Sequence, residues 1–116
     1  MATEGIESIL IETRDYVATA AFWKSLGYEN QFETDHGSGQ WMHPAGGPYL
    51  FIAEQHDGEL KMQLSLKVAD AAAFAPEHSL DVAQPFTLQH WGVLQAVVRD
   101  PDGREVGLSA PGESHG

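Results

Sequence analysis

The sequence predicts an α+β fold in which a β-α-β-β-β module of about residues 5–55 is followed by a second such module of about residues 60–110. The length of 116 residues fits one compact domain. In each half, a strand-like segment leads to an aspartate and then to an alanine-rich stretch with a phenylalanine, TRDYVATAAF and KVADAAAF. Three further strand-like segments follow in each half, so the chain has the pattern of a tandem repeat.

The first module has clear boundary signals. Residues 5–13, GIESILIET, alternate in the manner of a strand. Asp15 suits a helix N-cap and Gly27 suits the residue after a helix end. Between them Tyr16, Ala20, Trp23 and Leu26 recur at near-helical spacing, which predicts a helix packed on a sheet. The next three predicted strands are YENQFETD, GQWMHP and PYLFIAEQ.

The second module has a shortened helix. KMQLSLKVAD is typical of a strand, and ADAAAFA predicts a short helical segment that ends at Pro76. The three strands after it are predicted in PFTLQHW, GVLQAVVRD and REVGLSA, with a PDG turn between the last two. Residues 111–116 are predicted to form a tail.

Composition excludes several functions. Six Lys and Arg stand against 17 Asp and Glu, a formal charge of −11, which disfavours nucleic acid as a partner. Cysteine is absent, so disulfides and thiolate metal sites are excluded. No stretch reaches the roughly 18 apolar residues of a membrane span. We therefore expect a soluble, cytoplasmic protein without a membrane partner.

Two motifs resemble those of a known superfamily. AFWKSLGY at 21–28 resembles the AFYxxLGF helix end of the vicinal oxygen chelate superfamily, and DPDGREVGL at 100–108 resembles its DPDGNxxEL final hairpin. That superfamily includes glyoxalase I, extradiol dioxygenases and bleomycin resistance proteins. The resemblance covers about residues 5–110 and implies that the two modules form a curved mixed sheet with a concave ligand cavity and helices on the convex side.

The resemblance also implies where a metal would bind. Metal-dependent members place one ligand on each of the first, fourth, fifth and eighth strands, which here gives Ser8, Phe51, Gln63 and Gly107. Only Gln63 can coordinate a metal, whereas such sites need about three protein ligands. We therefore predict no metal and no cofactor.

The sequence also allows a different set of metal ligands. A register different from the predicted one would turn Glu12 or Glu105 inward, to form a site with Glu54 or His90. The histidines form neither an HxH nor an HExxH motif, and most lie in turn-like stretches: His36, His43, His56, His78, His90 and His115. His43 and His90 adjoin predicted cavity residues and are the two that would lie at the cavity mouth.

The cavity is predicted to be aromatic with a few neutral polar groups. Alternation directs Ser8 and Phe51 toward it and Ile9 and Ile11 toward the helix. The predicted ligand-binding residues are Ser8, Phe32, Trp41, Tyr49, Phe51, Gln63, Ser65, Trp91 and Gly107. For Trp41 and Trp91 a position in the core is an equal alternative.

One stretch resembles the bleomycin resistance proteins more closely than it resembles the enzymes of the superfamily. It is QHWGVLQAVVRDPDG. Those proteins lack a catalytic metal, form dimers and sequester a cationic, partly planar antibiotic. The resemblance thus implies a homodimer that sequesters a flat aromatic compound. The acidic composition favours a cationic compound, because a negatively charged protein attracts cations. Two hypotheses compete with this one: a glyoxalase- or dioxygenase-like enzyme with displaced metal ligands, and a protein-interaction module with a vestigial pocket.

Overall fold

The computed structural model describes residues 2–76 and 78–112. It contains two compact units, a first unit of Glu7–Gln63 and a second unit of Met1–Ile6 with Leu64–Gly116. Residues 113–116 of the predicted tail, including His115, lie outside the described residues. Among the helices described, none has the length and apolar character needed to cross a membrane.

The first unit has the predicted β-α-β-β-β order. Its elements are β1 (Ile6–Thr13), α1 (Tyr16–Ser25), β2 (Glu29–Glu33), β3 (Ser38–Met42) and β4 (Tyr49–Glu54). The strands are arranged β2-β3-β4-β1. β1 and β4 are parallel, with Ile11 opposite Ile52, and the other neighbours are antiparallel.

The second unit repeats this order with a reduced helix. Its elements are β5 (Met62–Lys67), a 3₁₀ helix (Ala71–Ala73), β6 (Asp81–Leu88), β7 (Val93–Arg99) and β8 (Glu105–Pro111). The strands are arranged β5-β8-β7-β6, with β5 and β8 parallel. The predicted α+β class and the shortened second helix are therefore confirmed.

Local side-chain contacts explain where α1 begins and ends. Asp15 is the N-cap, and its Oδ1 accepts a hydrogen bond from the Ala18 N–H at 3.1 Å. Glu54 Oε1 accepts from the Tyr16 N–H at 3.0 Å, so a second free N–H of the first turn is satisfied. At the other end Gly27 has φ +101°, which glycine adopts without a Cβ penalty.

Each unit has its own core. In the first unit α1 covers one side of the sheet, and the buried residues are Ile11, Tyr16, Ala20, Trp41, Leu50 and Ile52. In the second unit they are Val68, Ala96, Leu108 and Ala110, with Phe74 and Phe86 packed against them. We call the sheet side of the first unit away from α1 the open face; on it Ser8 is 9% exposed, and Leu10, Tyr49 and Phe51 are half-buried.

Candidate functional site

The open face has an aromatic and aliphatic centre. Leu10 on β1 lies opposite Phe51 on β4, and Phe51 lies opposite Gln40 on β3. Residues opposite each other in a register project to the same side of a sheet, and the adjacent Leu50 and Ile52 are in the core. Phe51 therefore lies on the open face between an aliphatic and an amide side chain.

Three more predicted site residues share this face. Ser8 lies opposite Tyr49, two pairs along from Phe51 on the same strands and therefore on the same face. Phe32 on β2 lies opposite Gln40, and its side chain is 48% exposed. The register thus brings Ser8, Phe32, Tyr49 and Phe51 onto one surface.

Two glutamines that the sequence did not single out add neutral polar groups to the open face. Gln40 Nε2 donates to Gln31 Oε1 at 2.7 Å, and Gln31 Nε2 lies 3.4 Å from Met42 Sδ. This pairing fixes the Gln40 amide next to Phe51 and leaves Gln40 Oε1 available as an acceptor. The open face therefore offers rings for contact and an amide for orientation.

Trp41 is not on this face, which corrects its predicted position. Its side chain is 6% exposed and belongs to the core beneath α1. The indole Nε1 donates to the Tyr16 hydroxyl at 3.1 Å. Trp41 lies opposite Leu50 in the register, so the pleat directs it toward the helix.

The remaining predicted site residues lie on β5, on β8 and in the turn after β6. Gln63 lies in β5 and is half-buried. In the second unit Ser65 on β5 lies opposite Gly107 on β8, on the side away from the core residue Leu108. Trp91 was predicted at the end of a strand, but it lies in the turn between β6 and β7 and is 55% exposed. Gly92, with φ +91°, completes that turn.

Carboxylates and imidazoles do not converge anywhere in the described part of the chain: no group of three His, Asp or Glu side chains is positioned to hold a metal ion. The alternative ligands have other contacts. Glu12 Oε1 accepts from the Lys61 N–H at 2.9 Å, Glu54 contacts His56 at 3.0 Å as well as the start of α1, and Glu105 lies 3.9 Å from Arg99. Each of these three carboxylates therefore already has a partner.

A hydrogen-bond network beneath the open face was not predicted from the sequence. The Tyr16 hydroxyl donates to Glu33 Oε2 at 2.6 Å while it accepts from Trp41 Nε1. Burial of the phenol raises the pKa of Tyr16 above its ordinary value of 10.0, and the hydrogen bond to Glu33 raises that pKa further. The network ties α1, β2 and β3 together beneath the open face. The three residues are far apart in sequence, so no local pattern indicates it.

Comparisons with known proteins identify the fold. No protein-family model matches the chain, and no curated protein sequence matches it. A glyoxalase/bleomycin resistance protein/dioxygenase superfamily member from Vibrio splendidus 12B01 is similar in structure, with a TM-score of 0.68 and 14% identity over 90% of this chain and 98% of that chain.

Two other solved structures agree. The methylmalonyl-CoA epimerase from Mycobacterium tuberculosis matches with a TM-score of 0.63 and 15% identity, over 95% of this chain and 89% of that chain. A Legionella pneumophila structure named as an NAD-dependent benzaldehyde dehydrogenase matches with a TM-score of 0.67 and 17% identity, over 90% of this chain and 97% of that chain. At these identities a likeness establishes the fold and not the activity. The protein has the fold of the glyoxalase/bleomycin resistance protein/dioxygenase superfamily, the vicinal oxygen chelate superfamily that its sequence motifs resemble.

Proposed function

We propose that the protein binds a flat aromatic small molecule by side-chain contact and without a metal. We propose further that it prefers a cationic compound. The observation that most supports this proposal is the position of Phe51, between Leu10 and Gln40 on the open face. Metal-dependent members have a metal ligand at the position of Phe51. A phenyl ring there replaces a coordinating group with a surface for stacking.

The proposed binding combines ring contact with orientation by hydrogen bonds. A planar ligand over Phe51 gains about 0.5–1.5 kcal/mol from ring stacking in addition to burial of apolar area. A positive charge over a ring adds about 0.5–2 kcal/mol, and the net charge of −11 attracts cations at longer range. The Gln40 amide then selects a ligand that carries a hydrogen-bond donor.

The proposed contact residues on the open face of the first unit are Ser8, Phe32, Tyr49 and Phe51. We also retain Gln63, and in the second unit Ser65, Trp91 and Gly107, as proposed ligand contacts, and we omit Trp41 because it is in the core. Sequestration of an antibiotic would follow from tight binding alone. We further propose that the protein acts as a cytoplasmic homodimer. Large exposed apolar side chains such as Val17, 76% exposed, and Met62, 68% exposed, support association of this kind.

The test is calorimetric titration with bleomycin-type and other aromatic cationic drugs, together with drug tolerance of cells that express the protein. We expect Phe51→Ala to weaken binding of the best compound by tenfold or more, since loss of a buried phenyl contact costs about 1.5–3 kcal/mol. Phe22→Ala is the matched control, because Phe22 is 58% exposed on α1. Equal effects of the two variants, or no binding by any compound, would contradict the proposal.

The competing enzyme hypothesis has a separate test. The fold also occurs in the structure named methylmalonyl-CoA epimerase, so the architecture is compatible with catalysis. Metal analysis of the purified protein separates the two functions: about one equivalent of Zn, Ni, Mn or Fe per chain favours an enzyme with displaced ligands. Metal-free protein that binds the drug favours sequestration.

A further inference from the structure

A hollow on the α1 side of the first unit lies apart from the open face. Its volume is about 400 Å³, within the range of about 300–1,000 Å³ typical of small-molecule sites. It lies where α1 ends and β2 begins, next to β3. The residues that line it are Lys24, Gly27, Tyr28, Glu29, Asn30 and Trp41.

The aromatic wall of this hollow is held in place. The Tyr28 ring makes edge-to-face contacts with Trp23 and with His43, each with a centroid distance of 5.4 Å. Trp41 is fixed through its hydrogen bond to Tyr16. Rings restrained in this way lose little conformational entropy when a ligand packs against them.

One cation, Lys24, lies beside these rings. Four of the six Lys and Arg side chains have well-defined partners: Arg14 donates to the Gln55 carbonyl, and Lys67, Arg99 and Arg104 form ion pairs with carboxylates. Lys61 also has an interaction partner. Of the six Lys and Arg residues, all within residues 2–76 and 78–112, Lys24 is the only one that makes no side-chain hydrogen bond or ion pair. This is so although acidic residues outnumber basic ones almost three to one.

The acidic residue at the hollow faces elsewhere. Glu29 lies opposite Met42 in the register, and Met42 alternates with the core residue Trp41, so the pleat directs the Glu29 carboxylate toward the open face. Asn30 Nδ2 donates to the Phe32 and Gln40 carbonyls at 3.1 and 3.4 Å, which leaves Asn30 Oδ1 available. The Tyr28 hydroxyl has no hydrogen-bond partner in the described part of the chain.

We infer that this hollow binds a small carboxylate with a flat apolar body, of the aryl-carboxylate class. The ligand ring packs against Tyr28 and the edge of Trp41, and the carboxylate accepts from the Lys24 ammonium and the Tyr28 hydroxyl. This site is on the other side of the sheet from the proposed drug-binding face and selects the opposite charge. The inference can therefore be tested independently of the proposed function.

The test is a set of ¹⁵N–¹H NMR titrations with 3-phenylpropionate, 3-phenylpropylamine and 3-phenylpropionamide, which share a ring and differ in charge. We expect the carboxylate to shift the amides of residues 24–30 and the Trp41 indole signal, and the amine to leave them unchanged. Lys24→Gln should weaken this binding by about twofold to fivefold, the range for an exposed ion pair. Lys24 is exposed, so the variant should fold normally.

Two further variants complete the experiment. Lys61→Gln removes the same charge from another part of the first unit and should leave the affinity unchanged. Tyr28→Phe keeps the ring and should weaken binding of the carboxylate, because it removes the hydroxyl donor. The inference is wrong if about 10 mM 3-phenylpropionate, enough to reveal a millimolar Kd, shifts none of these signals. It is also wrong if all three compounds shift them equally.

Discussion

The Tyr16 hydroxyl is the centre of the first unit's buried polar network, and Tyr16→Phe removes that single oxygen. Tyr16 is 8% exposed and Trp41 is 6% exposed. The substitution keeps the ring in the core cluster that also contains Ala20 and Ile52. It deletes the donor to Glu33 and the acceptor for Trp41 Nε1.

The expected cost follows from these two lost contacts. Trp41 Nε1–H becomes a buried donor without a partner, which costs about 1–3 kcal/mol. The hydrogen bond to a carboxylate is worth about 1.5–3 kcal/mol when buried, but Glu33 is exposed and regains water, so we assign it about 1 kcal/mol. The free energy of unfolding should therefore fall by about 2–4 kcal/mol, a large part of the roughly 5–15 kcal/mol of a typical domain.

Urea denaturation followed by tryptophan fluorescence measures this change, with Tyr28→Phe as the matched control. The Tyr28 hydroxyl makes no hydrogen bond in the part of the chain that the structure describes, so its removal should cost within about 0.5 kcal/mol. If Tyr16→Phe destabilises the protein no more than Tyr28→Phe does, the network does not contribute to stability and the reasoning is refuted.

Four related outcomes are expected. A methyl group at Gly39 would overlap the Tyr16 hydroxyl, so Gly39→Ala should cost about 1–3 kcal/mol in urea denaturation, and less when Tyr16→Phe is already present. Because the folded-state pKa of Tyr16 is raised, its contribution is complete below about pH 10 and is lost as the pH rises through the folded pKa; Tyr16→Phe should remove this alkaline dependence from thermal melts. Asp15→Ala should lower the free energy of unfolding by about 1 kcal/mol through loss of the α1 N-cap, and unchanged stability would contradict that role. The hydrogen bond from Arg104 lowers the pKa of Asp100, so Asp100→Asn should lower Tm near neutral pH and have less effect as acid protonates the wild-type carboxyl; an effect independent of pH would argue against this contact.

Elements with local signals were predictable from sequence. Asp15 and Gly27 marked the limits of α1 because capping and positive φ depend on neighbouring residues only. The DPDG turn was predicted for the same reason, and the Asp100 N–H does donate to the Arg104 carbonyl at 2.9 Å. Strict alternation on β1 and β4 correctly placed Ser8 and Phe51 on the side away from α1.

Features that depend on distant partners were not predictable. Trp41 is drawn into the core by Tyr16, which is 25 residues away in sequence. β6 begins at Asp81, earlier than predicted, and contains Pro85. An edge strand tolerates proline because its outward N–H needs no partner, and the position of β6 at the edge is set by the order of the whole unit. Trp91 is a different case: it was assigned to a strand although the adjacent Gly92, with φ +91°, is a local turn signal.

The measurement that tests the central claim most directly is calorimetric titration of an aromatic cationic drug in buffer with excess EDTA, repeated after loading with a divalent metal. Binding by contact alone predicts the same affinity in both buffers and a tenfold or greater loss in Phe51→Ala. Binding that disappears in EDTA and returns with Zn²⁺, Ni²⁺, Mn²⁺ or Fe²⁺ would contradict the account.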